Sequence, residues 1–273
     1  MDLKAALGLQ PGELIALVGA GGKTTTAWRL LRQLTAAGKH VVFTTTTHIF
    51  EPRDIPLLLA PRPDAAEIAR RLAESPALAL AAARGERGDP AHAARSPYLA
   101  SPVKLVGLEP EVLGNLARQL PEVTWLVEAD GARGRLLKAP AEYEPVIPDE
   151  ADRVIVVAGL DAIGKPLDEG VVHRPEIAAR LLRVPLGAAI TPDLFASLVG
   201  HASGGLKGVP SCAEVIALLT QWSGDSDLFP YADSISRQLL SNDRIAEVVP
   251  VNFYVHQKRS TNSTDPRSKE TNV

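Results

Sequence analysis

Short apolar runs along this chain alternate with stretches whose apolar residues recur every three or four positions. The first run, "ELIALVG" (13–19), is continuous, as expected of a strand buried on both faces. In "TTTAWRLLRQLTAAG" the residues Trp28, Leu31 and Leu34 follow helical spacing, and Gly38 supplies a stop. "HVVFTTTT" (40–47) then reads as a second strand, so residues 13–47 form a strand, glycine loop, helix and strand. Helices are predicted over 64–74, 110–120, 174–184 and 191–200, the last two with a proline near the start. Strands are predicted over 123–129, 152–159 and 213–220, while 77–83 suits either type. The stretch 84–102, rich in Gly, Pro and Arg, reads as a loop. This alternation predicts an α/β protein with a mainly parallel central sheet. Residues 256–273 have almost no apolar content and read as a disordered tail, leaving 1–255 as a single domain.

Composition narrows the function classes. At 273 residues, 45% apolar and 22% charged, the chain can bury a substantial core. A net charge of -3 gives no reason to expect a nucleic-acid partner. The only cysteine, Cys212, excludes a disulfide framework within the chain and a cysteine-based zinc site. No apolar run approaches the roughly 18 residues that span a bilayer, and the N-terminus lacks a leader pattern. The expected address is the cytoplasm, without a membrane partner.

The chemistry concentrates at strand ends. "LIALVGAGGKTTT" (14–26) departs from the usual phosphate-loop spacing, because Leu17 stands where the first glycine belongs. A shorter form is satisfied by Gly19, Gly22, Lys23 and Thr24. Backbone N–H groups of Gly19, Ala20, Gly21, Gly22, Lys23, Thr24 and Thr25, backed by a helix N-terminus, would cradle phosphates. Lys23 would reach the outer phosphates and the Thr24 hydroxyl would help to hold Mg²⁺. In "TWLVEADGAR" (124–133), Glu128 and Asp130 are two apart and would share one face at a strand's end. Either carboxylate suits the metal, and the pattern does not choose between them.

Further polar clusters surround these two. "FTTTTHIF" (43–50) ends the second strand with threonines and His48, so Thr47 and His48 are candidate substrate contacts, and His48 a candidate base. A β-branched strand with an exposed histidine explains the same letters. "GARGRLLKAP" (131–140) brings Arg133, Arg135 and Lys138 after the carboxylates, where a cation could stabilise charge in phosphoryl transfer. A solvated basic loop is the plainer alternative. "LDAIGKPLDEGVVHRPE" (160–176) adds Asp161, Lys165, His173 and Arg174, the last two as candidate substrate contacts. "GHASGGLKGVP" (200–210) is glycine-rich, but no Gly-Lys-Thr/Ser closes it.

Taken in order, these pieces resemble the YqeC family of selenium-dependent molybdenum hydroxylase accessory proteins. The matching stretches are "LVGAGGKTTT", "TTTTH", "VEADGARGRLLKAP", "EYEPVIP", "VVAGLDAIGKPL", "VHRPE" and "GGLKGVP". The resemblance implies a three-layer P-loop NTPase-like fold and a role in maturing molybdenum hydroxylases. It implies that Gly19, Gly22, Lys23 and Thr24 bind the phosphates of ATP or GTP with Mg²⁺, beside an acidic pair at Glu128 and Asp130. Near residue 220 such proteins tend to carry a guanine-reading box. Here "LLTQWSGD" has Thr220 for the Asn and Ser223 for the Asp, with Asp225 two residues late, so ATP fits at least as well.

The leading expectation is an Mg-dependent NTP hydrolase assisting cofactor insertion, with Lys23, Asp130, Glu128 and Arg133 as its catalytic groups. Two alternatives stay open: an ATP-dependent small-molecule kinase or ligase, and a non-catalytic nucleotide-gated module holding a pterin-type molybdenum cofactor. A molybdenum hydroxylase or its cofactor is the expected partner, and a homodimer is left open.

Overall fold

A computed structural model describes residues 2–94, 96–220 and 229–251. The expected tail and all of the "TQWS" box after Thr220 lie outside these residues. In chain order the elements are α1 (Leu3–Ala6), β1 (Leu14–Gly19), α2 (Lys23–Ala36), β2 (Val41–Thr45), β3 (His48–Pro52) and β4 (Leu57–Leu59). They continue with α3 (Ala65–Glu74), β5 (Ala77–Ala81), β6 (Ala83–Arg87), α4 (Pro90–Ala94), β7 (Leu99–Val106), α5 (Pro110–Gln119), β8 (Thr124–Glu128) and β9 (Leu137–Lys138). The remainder are β10 (Arg153–Gly159), β11 (Val172–His173), α6 (Pro175–Leu182), α7 (Pro192–Val199), β12 (Glu214–Thr220), α8 (Phe229–Leu240) and β13 (Glu247–Pro250).

Eight strands form the central sheet in the order β13-β12-β10-β1-β8-β2-β5-β4. Every pairing within it is parallel. Such a sheet needs cover on both faces, which is why its strands are continuous apolar runs. In β1 the residues Leu14, Ala16 and Val18 face a core shared with α3 and α5 to α8. Ile15 and Leu17 face the other way, into a core shared with α1 and α2. The result is a three-layer α/β fold with β1 near its centre.

Helix starts follow local chemistry. Asp64 caps α3 by accepting from the Ala66 N–H, and Thr191 caps α7 by accepting from the Leu194 N–H. Prolines open α5, α6 and α7. Within the ambiguous run 77–83, residues 77–81 form strand β5 between β2 and β4, and Ala83 opens β6.

Two readings need correction. The second strand stops at Thr45, short of Thr47. The Thr45 hydroxyl donates to the Glu128 carbonyl (2.6 Å) and accepts from the Thr47 N–H (3.0 Å), pinning a turn. His48 therefore opens the separate strand β3. The stretch 84–102, read as a loop, holds most of β6, all of α4 and the start of β7. With β3, these strands build a three-stranded antiparallel sheet in the order β3-β7-β6. Most of its residues are half-buried or exposed and its ladders shift register, so no apolar alternation marks it.

Candidate functional site

The centre of the parallel sheet delivers β1 into the glycine loop. Gly19, Gly21 and Gly22 have φ of 89°, 86° and 129°, a region that side-chain-bearing residues avoid. A Cβ on Gly19 would lie 2.3 Å from the Val157 carbonyl oxygen. The loop thus lies directly against the end of β10, and glycine is the residue that permits it. The Thr220 hydroxyl, from the end of β12, donates to the Gly21 carbonyl.

Not every N–H of this loop is free for an anion. That of Gly19 donates to Asp130 Oδ2 (3.0 Å), that of Ala20 to the Val157 carbonyl (2.9 Å), and that of Gly21 to the Arg135 carbonyl (2.9 Å). The expectation that the N–H groups of Gly19, Ala20 and Gly21 cradle phosphates is corrected accordingly, because these donors are already used to hold the loop. The N–H groups at the start of α2 remain. Helix geometry leaves them without partners, and no side chain caps Gly22.

Behind the loop runs a buried chain of alternating charge. Lys23 Nζ donates to the Gly19 carbonyl (2.5 Å) and pairs with Asp130 Oδ1 (2.8 Å). Asp130 Oδ2 pairs with Lys138 Nζ (3.1 Å), which also reaches Glu144 Oε2 (2.8 Å) and the Gly131 carbonyl. Glu144 Oε2 then meets Arg174 Nη1 (2.5 Å), whose guanidinium lies over the exposed Tyr143 ring. Burial pushes the Lys138 ammonium below its ordinary pKa, against the pull of Asp130 and Glu144. Burial would raise Glu144, but hydrogen bonds from Arg174 and Lys138 outweigh it and hold the carboxyl below its usual range.

Glu128 behaves differently. It is 6% exposed, and burial raises its pKa despite nearby Lys23 and a hydrogen bond from Thr24. Its Oε1 has no hydrogen-bond partner. The structure therefore separates the two carboxylates that the sequence left equivalent. Asp130 serves the lysines, and Glu128 holds an open oxygen beside the Thr24 hydroxyl. Among the described residues, no group of three His, Cys, Asp or Glu side chains could hold a metal by itself. A cation here would rest on Thr24, Glu128 and the ligand's own oxygens.

Both groups open into a cleft of about 350 Å³. Residues 21–25, Glu128 and Asp130 line it, and so do His48, Phe50 and Lys104 from the antiparallel sheet. Arg133 stands exposed on its rim with φ of 49°. Thr47, His173 and Arg174, read as candidate substrate contacts, do not line the cleft. Thr47 is spent on its turn, and Arg174 is held by Glu144. Three contributors escape sequence reasoning. Lys138 reads equally as a cation beside the phosphates or as part of a solvated basic loop, not as the buried partner of Asp130 and Glu144. Glu144 carries no local signal beyond its place in "EYEP", and Lys104 sits in a strand that the pattern does not reveal.

The imidazole of His173 is pushed from its ordinary 6.5 to about 4, first by burial and then by Arg174 and Lys138. The unfolded chain thus takes up a proton between pH 6.5 and 4 that the folded chain refuses, so stability falls as the pH drops through that window. His173→Gln is expected to flatten the decline of Tm there. An unchanged slope would show that the ring titrates in the fold as it does in water.

The model of the YqeC protein family matches residues 15–176. The chain is also similar to a protein of Escherichia coli (strain K12) named "Uncharacterized protein YqeC". The two are 31% identical over 211 residues, covering 77% of this chain and 76% of that one. No solved structure matches the chain. The glycine loop, the acidic strand end and the buried charge chain from Lys23 to Arg174 all fall inside the matched span, and the chain belongs to the YqeC family.

Proposed function

We propose that this protein binds a nucleoside triphosphate with Mg²⁺ at the glycine loop and hydrolyses it, as a P-loop-type NTPase of the cytoplasm. One observation carries the reading. Thr24, at the open start of α2, donates to a buried carboxylate whose Oε1 has no partner. That is a hydroxyl and an acid placed together where N–H donors and the helix dipole favour phosphate.

In this reading Lys23 exchanges Asp130 for phosphate oxygens, and Asp130 keeps its partner Lys138. Thr24 and Glu128 would hold the cation, because Asp130 is committed to the lysines. Mg²⁺, when bound, supplies positive charge against the phosphate oxygens. A cation bound beside Glu128 would favour its ionised form, against the burial that raises its pKa. Arg133, exposed at the rim, can turn toward charge that develops on the transferred group. The setting of molybdenum hydroxylase maturation rests on the sequence resemblance, as does a hydroxylase or its pterin cofactor as partner.

Calorimetric titration of MgATP and MgGTP into the chain and into Lys23→Ala tests the reading. Either nucleotide should bind, and the variant should lose at least about tenfold in affinity, one charge-assisted contact being worth about 1.5–3 kcal/mol. Equal affinity in the two proteins would end it.

A further inference from the structure

We propose that the cleft carries a second subsite, across from the glycine loop, for a small organic anion with a flat ring. The proposal rests on the nucleotide reading only in taking the glycine loop as already assigned to phosphates.

The wall in question is the antiparallel sheet. In its ladder His48 opposes Val106 and Phe50 opposes Lys104. Alternation along a strand places His48 and Phe50 on one face of β3, while Ile49 between them enters the core with Leu105. His48, Phe50 and Lys104 all line the cleft. The Lys104 ammonium lies 5.5 Å from the centroid of the Phe50 ring, so charge and aromatic surface are presented together. Gly88 makes this arrangement possible. A Cβ there would stand 2.6 Å from the Phe50 ring and 2.7 Å from Lys104 Cε.

The electrostatics of the cleft ask for an anion. Among the described residues, Lys104, Arg133 and Arg135 line it without a carboxylate partner. Its two acids are already placed: Asp130 lies between two lysines, and Glu128 is buried beside Lys23 and Thr24. Lys23 and the start of α2 suffice for one phosphate chain. Lys104 belongs to another element and another wall, so its charge is available to a second molecule. A volume of about 350 Å³ limits that molecule to a small one. An aromatic carboxylate or phosphate ester meets both demands, its anionic group on Lys104 and its ring along Phe50.

Phenyl phosphate is the probe, titrated into the full chain with and without MgATP, with inorganic phosphate as the ringless control. Phenyl phosphate should bind more tightly than inorganic phosphate and should still bind in the presence of MgATP. Lys104→Ala should weaken phenyl phosphate by about tenfold or more and leave MgATP affinity unchanged. Lys23→Ala should do the reverse. Gly88→Val, which displaces the wall without altering its charge, should also weaken phenyl phosphate alone. Loss of phenyl phosphate in Lys23→Ala but not in Lys104→Ala would overturn the subsite, as would displacement by MgATP or no binding at millimolar concentration. A chain that binds phenyl phosphate through Lys104 and binds no nucleotide would instead remove the nucleotide reading and leave the subsite standing.

Discussion

Asp130→Ala is expected to destabilise the protein by about 3–5 kcal/mol and to lower its Tm by roughly 10 °C. The carboxylate is buried between Lys23 and Lys138 and also accepts the Gly19 N–H. Lys138 is 5% exposed and Lys23 6% exposed, so both ammonium groups are largely withdrawn from water. Removing the one anion they share leaves Lys23 buried without its ion-pair partner and Lys138 with Glu144 alone. Lys138→Met should cost clearly less. In that variant Asp130 keeps Lys23 and Glu144 keeps Arg174, so each remaining charge retains a partner. Urea unfolding of the three proteins, with Tm measured in parallel, decides the matter. If Lys138→Met proves as damaging as Asp130→Ala, Asp130 is not the centre of the network.

Gly21→Ala should be nearly as severe, through the backbone instead of through charge. Gly21 sits at φ of 86°, where an added Cβ costs about 1–2 kcal/mol by itself. That Cβ would also lie 2.5 Å from the Gly159 nitrogen and 2.8 Å from its Cα, both backbone atoms with no rotamer to change. The loop must shift, and with it the start of α2. A stability loss of roughly 2–4 kcal/mol is expected, along with loss of nucleotide binding. Gly131→Ala is the control, since a Cβ there meets nothing within 4 Å. It should stay within about 0.5 kcal/mol of the parent. If the two alanines melted alike, β10 would not be pressing on the loop as described.

Much of this architecture is legible in the letters because it is local. A strand buried on both faces must be apolar throughout, and β1, β8, β10 and β12 are. A helix covering one face must repeat every three or four residues, and α2 does. Glycines at positive φ followed by Lys-Thr at a helix start need no distant partner to be recognised. The α/β class with a mainly parallel sheet followed from these features alone, while the three layers were what the family resemblance implied.

What stayed hidden depends on partners far along the chain. The small sheet is half-exposed and only β7 is paired on both sides, so its polar residues carry no period and its stretch passes for a loop. Glu128 and Asp130 look alike in sequence, two residues apart on one strand end. Only the fold sets Lys23 and Lys138 on the one and Thr24 on the other, and so gives them different tasks. The same is true of the loop donors. Whether an N–H is free for phosphate depends on which carbonyl lies opposite, and that is settled by strand order. Sequence by itself determined which residue types meet at the strand ends. Tertiary structure decided which of them are spent on one another and which still face the cleft, because burial and pairing belong to the packed molecule and to no single segment of it.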